Sequence, residues 1–249
     1  YRGGGHFSGR ITAAAVAAGA IFQTALQNLG IRIATHILRC GQAADREFGD
    51  VEADIALLRA AEYPVLDPTA KEAILAEIRA AKAELDSIGG ITQTAISGLP
   101  AGLGEPWFDS VESMLSHALF GIGGVKGIDF GVGFDGVGRR GSEYNDALRI
   151  RDGRVYTETN RNGGINGGIT NGMPVLFRCA VKPTPSISRE QESIDFLSGE
   201  NISLSISGRH DPAIIRRICP VLDSITALVL CDLLAQRCGT DVFMKGIER

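Results

Sequence analysis

The sequence predicts an α+β fold, on three observations. Strand-like segments outnumber helical ones, several strands follow one another directly, and the helical periodicities come in separate blocks. A doubly wound α/β chain would instead alternate strand and helix. The 249 residues suffice for one large domain with a sizeable core. No internal repeat or interdomain linker stands out, so residues 1–249 are expected to form a single domain. Hydrophobic content of 44% and charged content of 22% are ordinary for a globular protein. A net charge of −4 argues against non-specific nucleic-acid binding. No apolar run reads as long enough to span a membrane, so neither a membrane nor a nucleic acid is expected as partner. The five cysteines, an odd number without Cys-x-x-Cys spacing, suit a reducing, cytoplasmic setting. No metal-ligand spacing appears either. The chain opens Tyr1-Arg2-Gly3-Gly4-Gly5 with no methionine or signal pattern, which leads us to expect an upstream segment.

The elements follow in order. Ser8 is placed to cap a helix running to Leu29 and stopped by Gly30. Its run of small, uncharged residues from Ala13 to Ala20 predicts burial against other backbone. Ile31–Leu38 reads as a strand of β-branched and apolar residues. Asp67-Pro68 starts an amphipathic helix through Ile74, Ile78, Ala81 and Leu85, which Gly89-Gly90 ends. Leu99–Pro106 is a rigid loop, and Asp109 with Glu112 forms a capping-box pattern for a helix to Leu119. Ile128, Phe130, Val132 and Phe134 alternate as a strand does. Asp152-Gly153 joins two short strands in a hairpin. Val175–Val181 is another strand, and Ile202, Leu204 and Ile206 alternate with serines as a half-buried one. The last helix begins near Pro212, is kinked by Pro220, and is apolar nearly all round from Ile225 to Ala235.

Glycine is the unusual residue: 32 are present, against a usual share of about 7%. They cluster in four loops, 2–10, 121–127, 160–186 and 207–211, each with a cation nearby: Arg2 and Arg10, Lys126, Arg161 and Lys182, and Arg209. Glycine and asparagine turns expose backbone N–H groups that can hold anions, and arginine and lysine suit phosphate or carboxylate. The economical expectation is that the four loops converge on one anionic ligand. The richest, Thr159–Pro174, also reads as a surface loop between strands. No Gly-x-x-x-x-Gly-Lys-Ser/Thr or strand–Gly-x-Gly-x-x-Gly–helix unit occurs, so nucleoside triphosphate and ordinary dinucleotide folds are not expected. Gly208-Arg209-His210-Asp211-Pro212 is the densest titratable cluster. Asp211 there is either the cap of the last helix or an acid–base group. His36 and His117 read as structural.

Six segments occur in an order that resembles the chorismate synthase family. They are Arg2–Arg10, Gly102–Asp109, Val125-Lys126-Gly127, Asn160–Gly172, Lys182-Pro183-Thr184-Pro185-Ser186 and Gly208–Pro212. The resemblance implies a β-α-β sandwich with antiparallel sheets around a helical layer, assembled as a homotetramer that binds reduced FMN, with NADP among the associated cofactors. It implies a lyase of aromatic amino acid biosynthesis, performing the anti-1,4-elimination of phosphate from 5-enolpyruvylshikimate 3-phosphate to give chorismate. Carried over by position, flavin contacts fall on His6, Phe7, Ser8, Gly123, Gly124, Gly167, Lys182, Pro183, Thr184, Pro185, Ser186 and Arg209. Arg10 falls near the substrate, and Asp211 on an aspartate that assists proton transfer. His6-Phe7-Ser8 stands where arginine-serine-serine is common, and Gly123-Gly124 where asparagine or proline precedes alanine. Backbone contacts are therefore expected there. The family's N-terminal third, with two further histidines, has no counterpart in this sequence, which implies weakened turnover. The alternatives are a truncated flavin- or phosphate-binding module without catalysis, and a structural oligomerisation domain.

Overall fold

The computed structural model describes residues 5–206, 208 and 210–246. Its helices are α1 (Thr12–Asn28), α2 (Val51–Ala60), α3 (Pro68–Ala83), α4 (Val111–Phe120), α5 (Gly141–Tyr144), α6 (Ile215–Cys238) and α7 (Val242–Lys245). The strands are β1 (Arg32–Cys40), β2 (Ala43–Ala44), β3 (Gly90–Ser97), β4 (Val125–Phe130), β5 (Leu148–Arg151), β6 (Arg154–Thr157), β7 (Ile165–Asn166), β8 (Ile169–Thr170), β9 (Val175–Val181), β10 (Gln191–Asp195) and β11 (Glu200–Leu204). One sheet has the order β2-β1-β3-β9-β4, and β5-β6, β7-β8 and β10-β11 are two-stranded ribbons. Every pairing given is antiparallel. The α+β class therefore holds, with a sheet backed by a helical layer of α1, α4 and α6.

The sheet's register sets which side chains meet the helices. Ile33, Thr35 and Ile37 lie opposite Ile96, Thr94 and Thr92, which lie opposite Val175, Phe177 and Cys179. This face packs on α6, whose buried residues include Ile218, Leu222, Leu230 and Leu234. Burying each large apolar side chain contributes roughly 1.5–3 kcal/mol. The opposite face of β1 and β3 is covered by α2, with Ala34, Ala95, Ile55 and Leu58 in a smaller cluster. There His36 is wholly buried, 3.0 Å from Asp45 and 3.2 Å from Gln93, in a structural role. Burial alone would raise the Asp45 carboxyl pKa, but bonds from His36 and the Leu66 and Asp67 amides hold it below its ordinary value.

Several boundaries differ from the sequence reading, each for a local reason. Ser8 caps a short 3-10 turn at Gly9–Ile11, and α1 starts after it. Of α1 only Gly19 and Leu26 are buried, so the expected burial against other backbone is met at Gly19, which packs on Ser224, and not along the rest of Ala13–Ala20. α3 ends at Ala83, where Leu85 turns to φ 60°, and Gly90 already belongs to β3. Ser110, not Asp109, caps α4, accepting from the Ser113 amide at 3.1 Å. The strand read as reaching Phe134 stops at Phe130; Gly133–Gly136 is a 3-10 turn and Phe134 is exposed. β11 is exposed along its length, being half of an isolated ribbon. Two helical segments, Gly9–Asn28 and Ile215–Cys238, are long and apolar enough to cross a membrane, contrary to the sequence reading; two thirds of the second's apolar window is buried in the core.

α6 carries an unusual acid. Asp223 accepts from Thr35 Oγ1 at 2.6 Å, and that hydroxyl lies 2.7 Å from Thr94 Oγ1. Burial pushes the Asp223 carboxyl up to about 6 from 3.8, and Thr35 only partly offsets this. The folded state thus holds this proton more tightly than the unfolded one. Its stabilising contribution is complete below about 3.8 and lost as pH rises through about 6. Asp223→Asn should therefore stabilise the protein at pH 7 by on the order of 2 kcal/mol, with the gain vanishing near pH 4. Urea unfolding of both proteins at the two pH values checks this; a gain independent of pH would contradict it.

Candidate ligand site at one end of the sheet

β4 begins beside the end of β9, with Val125 opposite Val181. The Lys182 amide donates to the Gly124 carbonyl at 2.9 Å, which joins the loop entering β4 to the loop leaving β9. Gly124 has φ 103°, and a methyl there would come within 2.9 Å of Ile214 Cδ1. The φ favours glycine, while the contact with the end of the Ile214 side chain could be relieved by a small shift. A connector that the sequence reading took for a helix end ties the remaining pieces together. Its Ser87 hydroxyl donates to the Thr184 carbonyl at 2.6 Å, and its Ile88 amide to the Pro212 carbonyl at 2.8 Å. Arg189 pairs with Asp86 at 3.4 Å. The loops 121–125, 182–186 and 210–214 thus form one cluster stitched by residues 86–89.

Helix direction places the N-terminal segment nearby. A methyl at Gly19 would overlap Ser224, and Cys231 Sγ lies 3.8 Å from the Phe22 carbonyl. Contacts that advance together along both chains mean that α1 and α6 run parallel. His6, Phe7, Ser8 and Arg10 therefore precede α1 at the end where Asp211 precedes α6. Phe7 is 99% exposed, and His6 and Arg10 are exposed as well. Lys182, Pro183 and Pro185 are exposed, Thr184 and Ser186 half-buried. The Thr184 hydroxyl is itself buried and has no hydrogen-bond partner among the described residues. Beyond Gly123 the space is open. Arg209 lies outside the described residues, as does Arg2.

Asp211 is not the cap of the last helix. α6 begins at Ile215 with Ile214 as its N-cap residue and no side-chain cap bond. The Asp211 carboxylate instead pairs with Arg217 at 2.5 Å. His210 Nε2 lies 3.0 Å from the Ile206 carbonyl, which places a proton on that nitrogen.

Gly167 does not join this cluster within one chain. It turns between β7 and β8 at φ 60°, with open space around it. Neighbouring Thr170 bonds Gly102, and Gly102 packs beside Arg237 in the last turn of α6. Asp211 stands before the first turn of that 24-residue helix, so the two lie roughly 30 Å apart at about 1.5 Å per residue. Of the four loops, 121–127 and the described part of 207–211 meet and residues 5–10 start at the same end, while the 160–186 loop divides: Lys182–Ser186 joins them and Asn160–Gly172 does not. That stretch already has its anion. Asp146 accepts from the Thr159 hydroxyl at 2.6 Å, the Arg161 and Asn162 amides at 2.8 and 2.9 Å, and the Asn162 side chain at 3.0 Å. Arg161 bonds Thr159 Oγ1 and the Asn145 carbonyl. The turn chemistry read from the sequence is real, but it serves the chain's own carboxylate.

Loops gathered at one end of an antiparallel sheet, over the starts of two parallel helices, define the class: an α+β protein with a loop-built candidate ligand site. A chorismate synthase family model matches residues 1–235. The chain is 43% identical over 236 residues to the chorismate synthase of Methanocella arvoryzae, covering 93% of this chain and 62% of that one. To the Pyrococcus abyssi chorismate synthase it is 42% identical over 238 residues, covering 95% and 65%. A crystal structure of chorismate synthase matches with TM-score 0.78 and 27% identity, over 94% of this chain and 66% of that one. The chain belongs to the chorismate synthase family, and it spans about 62–65% of the length of these curated relatives.

Proposed function

We propose that this chain binds reduced FMN in the loop cluster and serves the elimination of phosphate from 5-enolpyruvylshikimate 3-phosphate to give chorismate. The observation that carries the reading is the Lys182–Ser186 loop. It offers an exposed lysine and a buried, unpartnered Thr184 hydroxyl beside the open Gly123. A flavin phosphate needs donors of this kind, and a buried hydroxyl without a partner costs about 1–3 kcal/mol until a ligand pairs it. Lys182, Thr184 and Ser186 would hold the phosphate, with Pro183 and Pro185 stiffening the loop and Gly123 and Gly124 allowing close backbone approach. His6, Phe7, Ser8 and Arg209 complete the flavin side; Arg10 faces the substrate. When bound, the reduced flavin supplies electron density for the elimination. Asp211 would take part in moving a proton at its carboxylate.

Gly167, roughly 30 Å from Asp211 along α6, would meet flavin only from a second copy of the chain, in line with a cytoplasmic homotetramer. A second reading is a flavin- or phosphate-binding module without turnover. Fluorescence quenching of FMN and the thermal shift it produces test binding. Phosphate release from the substrate under anaerobic, reduced conditions separates the two readings. Lys182→Ala should weaken FMN binding by about 1.5 kcal/mol, the low end for a charge-assisted bond. No binding by the unaltered chain at any FMN concentration would rule out both.

A further inference from the structure

Two arginines occupy the first turn of α6, and no acidic residue accompanies them there. That is the wrong sign for a helix N-terminus, where the macrodipole favours anions. Arg216 has a structural reason: its guanidinium lies 5.1 Å from the Tyr63 ring centroid and donates to the Glu62 carbonyl at 3.2 Å. Arg217 touches neither. Its side chain is 77% exposed, and its ion pair is with Asp211, six residues earlier and outside the helix.

We propose that Arg217 is a positioning residue for Asp211; the inference rests on the role given to Asp211 above. The backbone around Asp211 is already held, by the Ile88–Pro212 hydrogen bond on one side and by Ile214 packed over Gly124 on the other. What remains free is the side-chain torsion of Asp211, and the Arg217 guanidinium fixes it. The Asp211 carboxyl is only 26% exposed, so an unpaired charge there would be poorly solvated. The contact at Oδ2 is one of charge at 2.5 Å without an aligned hydrogen bond from the described residues. The pair therefore steers the carboxylate and leaves it able to bond a ligand or a proton.

The experiment has two readouts. The first needs neither flavin nor turnover: in NMR of the arginine side chains the Arg217 guanidinium resonances should shift between the unaltered chain and Asp211→Asn, and more than those of the other arginines. Unmoved Arg217 resonances would overturn the proposal. The second compares phosphate elimination and FMN affinity in Arg217→Gln, Arg217→Lys, Asp211→Asn and the double variant Arg217→Gln/Asp211→Asn. Arg217→Gln should lower kcat by about tenfold while moving KM and the FMN Kd less than about threefold, and lysine should restore part of the loss. In the Asp211→Asn background the same change should cost nothing further. An unchanged kcat, or an equal loss in both backgrounds, would overturn the role. A merely structural role would lower the thermal midpoint and leave the rate of the folded protein alone. Failure of the functional reading looks different: the unaltered chain would not quench FMN, while the guanidinium signal would still report the pair.

Discussion

Gly131→Ala is expected to destabilise the protein by more than about 3 kcal/mol, enough to leave much of the chain unfolded at 37 °C. Gly131 follows β4 at φ 58°, a region that costs an L-residue roughly 1–2 kcal/mol. The larger cost is spatial. A methyl at this position would fall on the Arg161 carbonyl oxygen and 2.5 Å from the Gly163 amide nitrogen. Both obstacles are backbone, so no side-chain rotation relieves them. The Gly131 amide also donates to the Leu176 carbonyl at 2.9 Å, and the Val132 amide to Arg161 at 2.9 Å. Moving the strand end outward to make room would break both. Thermal unfolding monitored by far-ultraviolet circular dichroism measures the loss; a midpoint within a few degrees of the unaltered protein would show that the crossing is looser than it looks. Gly153→Ala is the natural control, since Gly153 has φ 74° but nothing within 4 Å of the added methyl. It should cost only the dihedral penalty.

The comparison between Gly131 and Gly153 also shows what the sequence could and could not convey. Gly153 is legible, because Asp-Gly between two alternating runs is a local signal and the hairpin formed where it was read. Gly131 is not, because its partner is thirty residues away and nothing local announces a backbone crossing. The same limit hid β3. Its core-facing side chains are Thr92, Thr94 and Ile96, and Gln93 on the other face is buried as well. Polar residues paired across a sheet carry no hydrophobic period, so the central strand left no trace in the pattern. The apolar half of α6 was legible for the opposite reason, being buried on nearly every side.

The candidate site divides in the same way. The Lys182–Ser186 and Gly123-Gly124 segments were read as neighbours and lie together, since β4 starts where its antiparallel partner β9 ends. Residues 86–89 were missed; they contribute backbone and one serine hydroxyl, groups every sequence has. Asp211 was read as either a cap or an acid, and the late start of α6 at Ile215 removes the first. Asn160–Gly172 was assigned to the site on composition. Composition records that a stretch can bind an anion, not that the anion is a side chain fourteen residues upstream.

That carboxylate carries the second large effect. Asp146→Ala should cost on the order of 2–3 kcal/mol, because four half-buried donors lose their acceptor and water can replace it only in part. Asp146→Asn should recover little: its amide nitrogen would face donors where a carboxylate oxygen now accepts. Burial by itself would raise the Asp146 carboxyl pKa; the bonds from Thr159, Asn162 and Arg161 outweigh it and leave the pKa below the ordinary 3.8. With the folded pKa depressed, this stabilisation is present above the ordinary carboxylate range and is lost as pH falls through the lowered value. Acid should therefore act on this loop late, after exposed carboxylates have titrated. Hydrogen exchange reads the prediction residue by residue. The Arg161 and Asn162 amides should be protected near neutral pH and should exchange freely in Asp146→Ala. The Lys182 amide, bonded to Gly124 at the far end of β9, should keep its protection in the same variant. If both ends lose protection together, the 159–174 loop and the ligand cluster unfold as one unit, and the separation drawn here between the chain's own anion site and its ligand site is wrong in energetic terms.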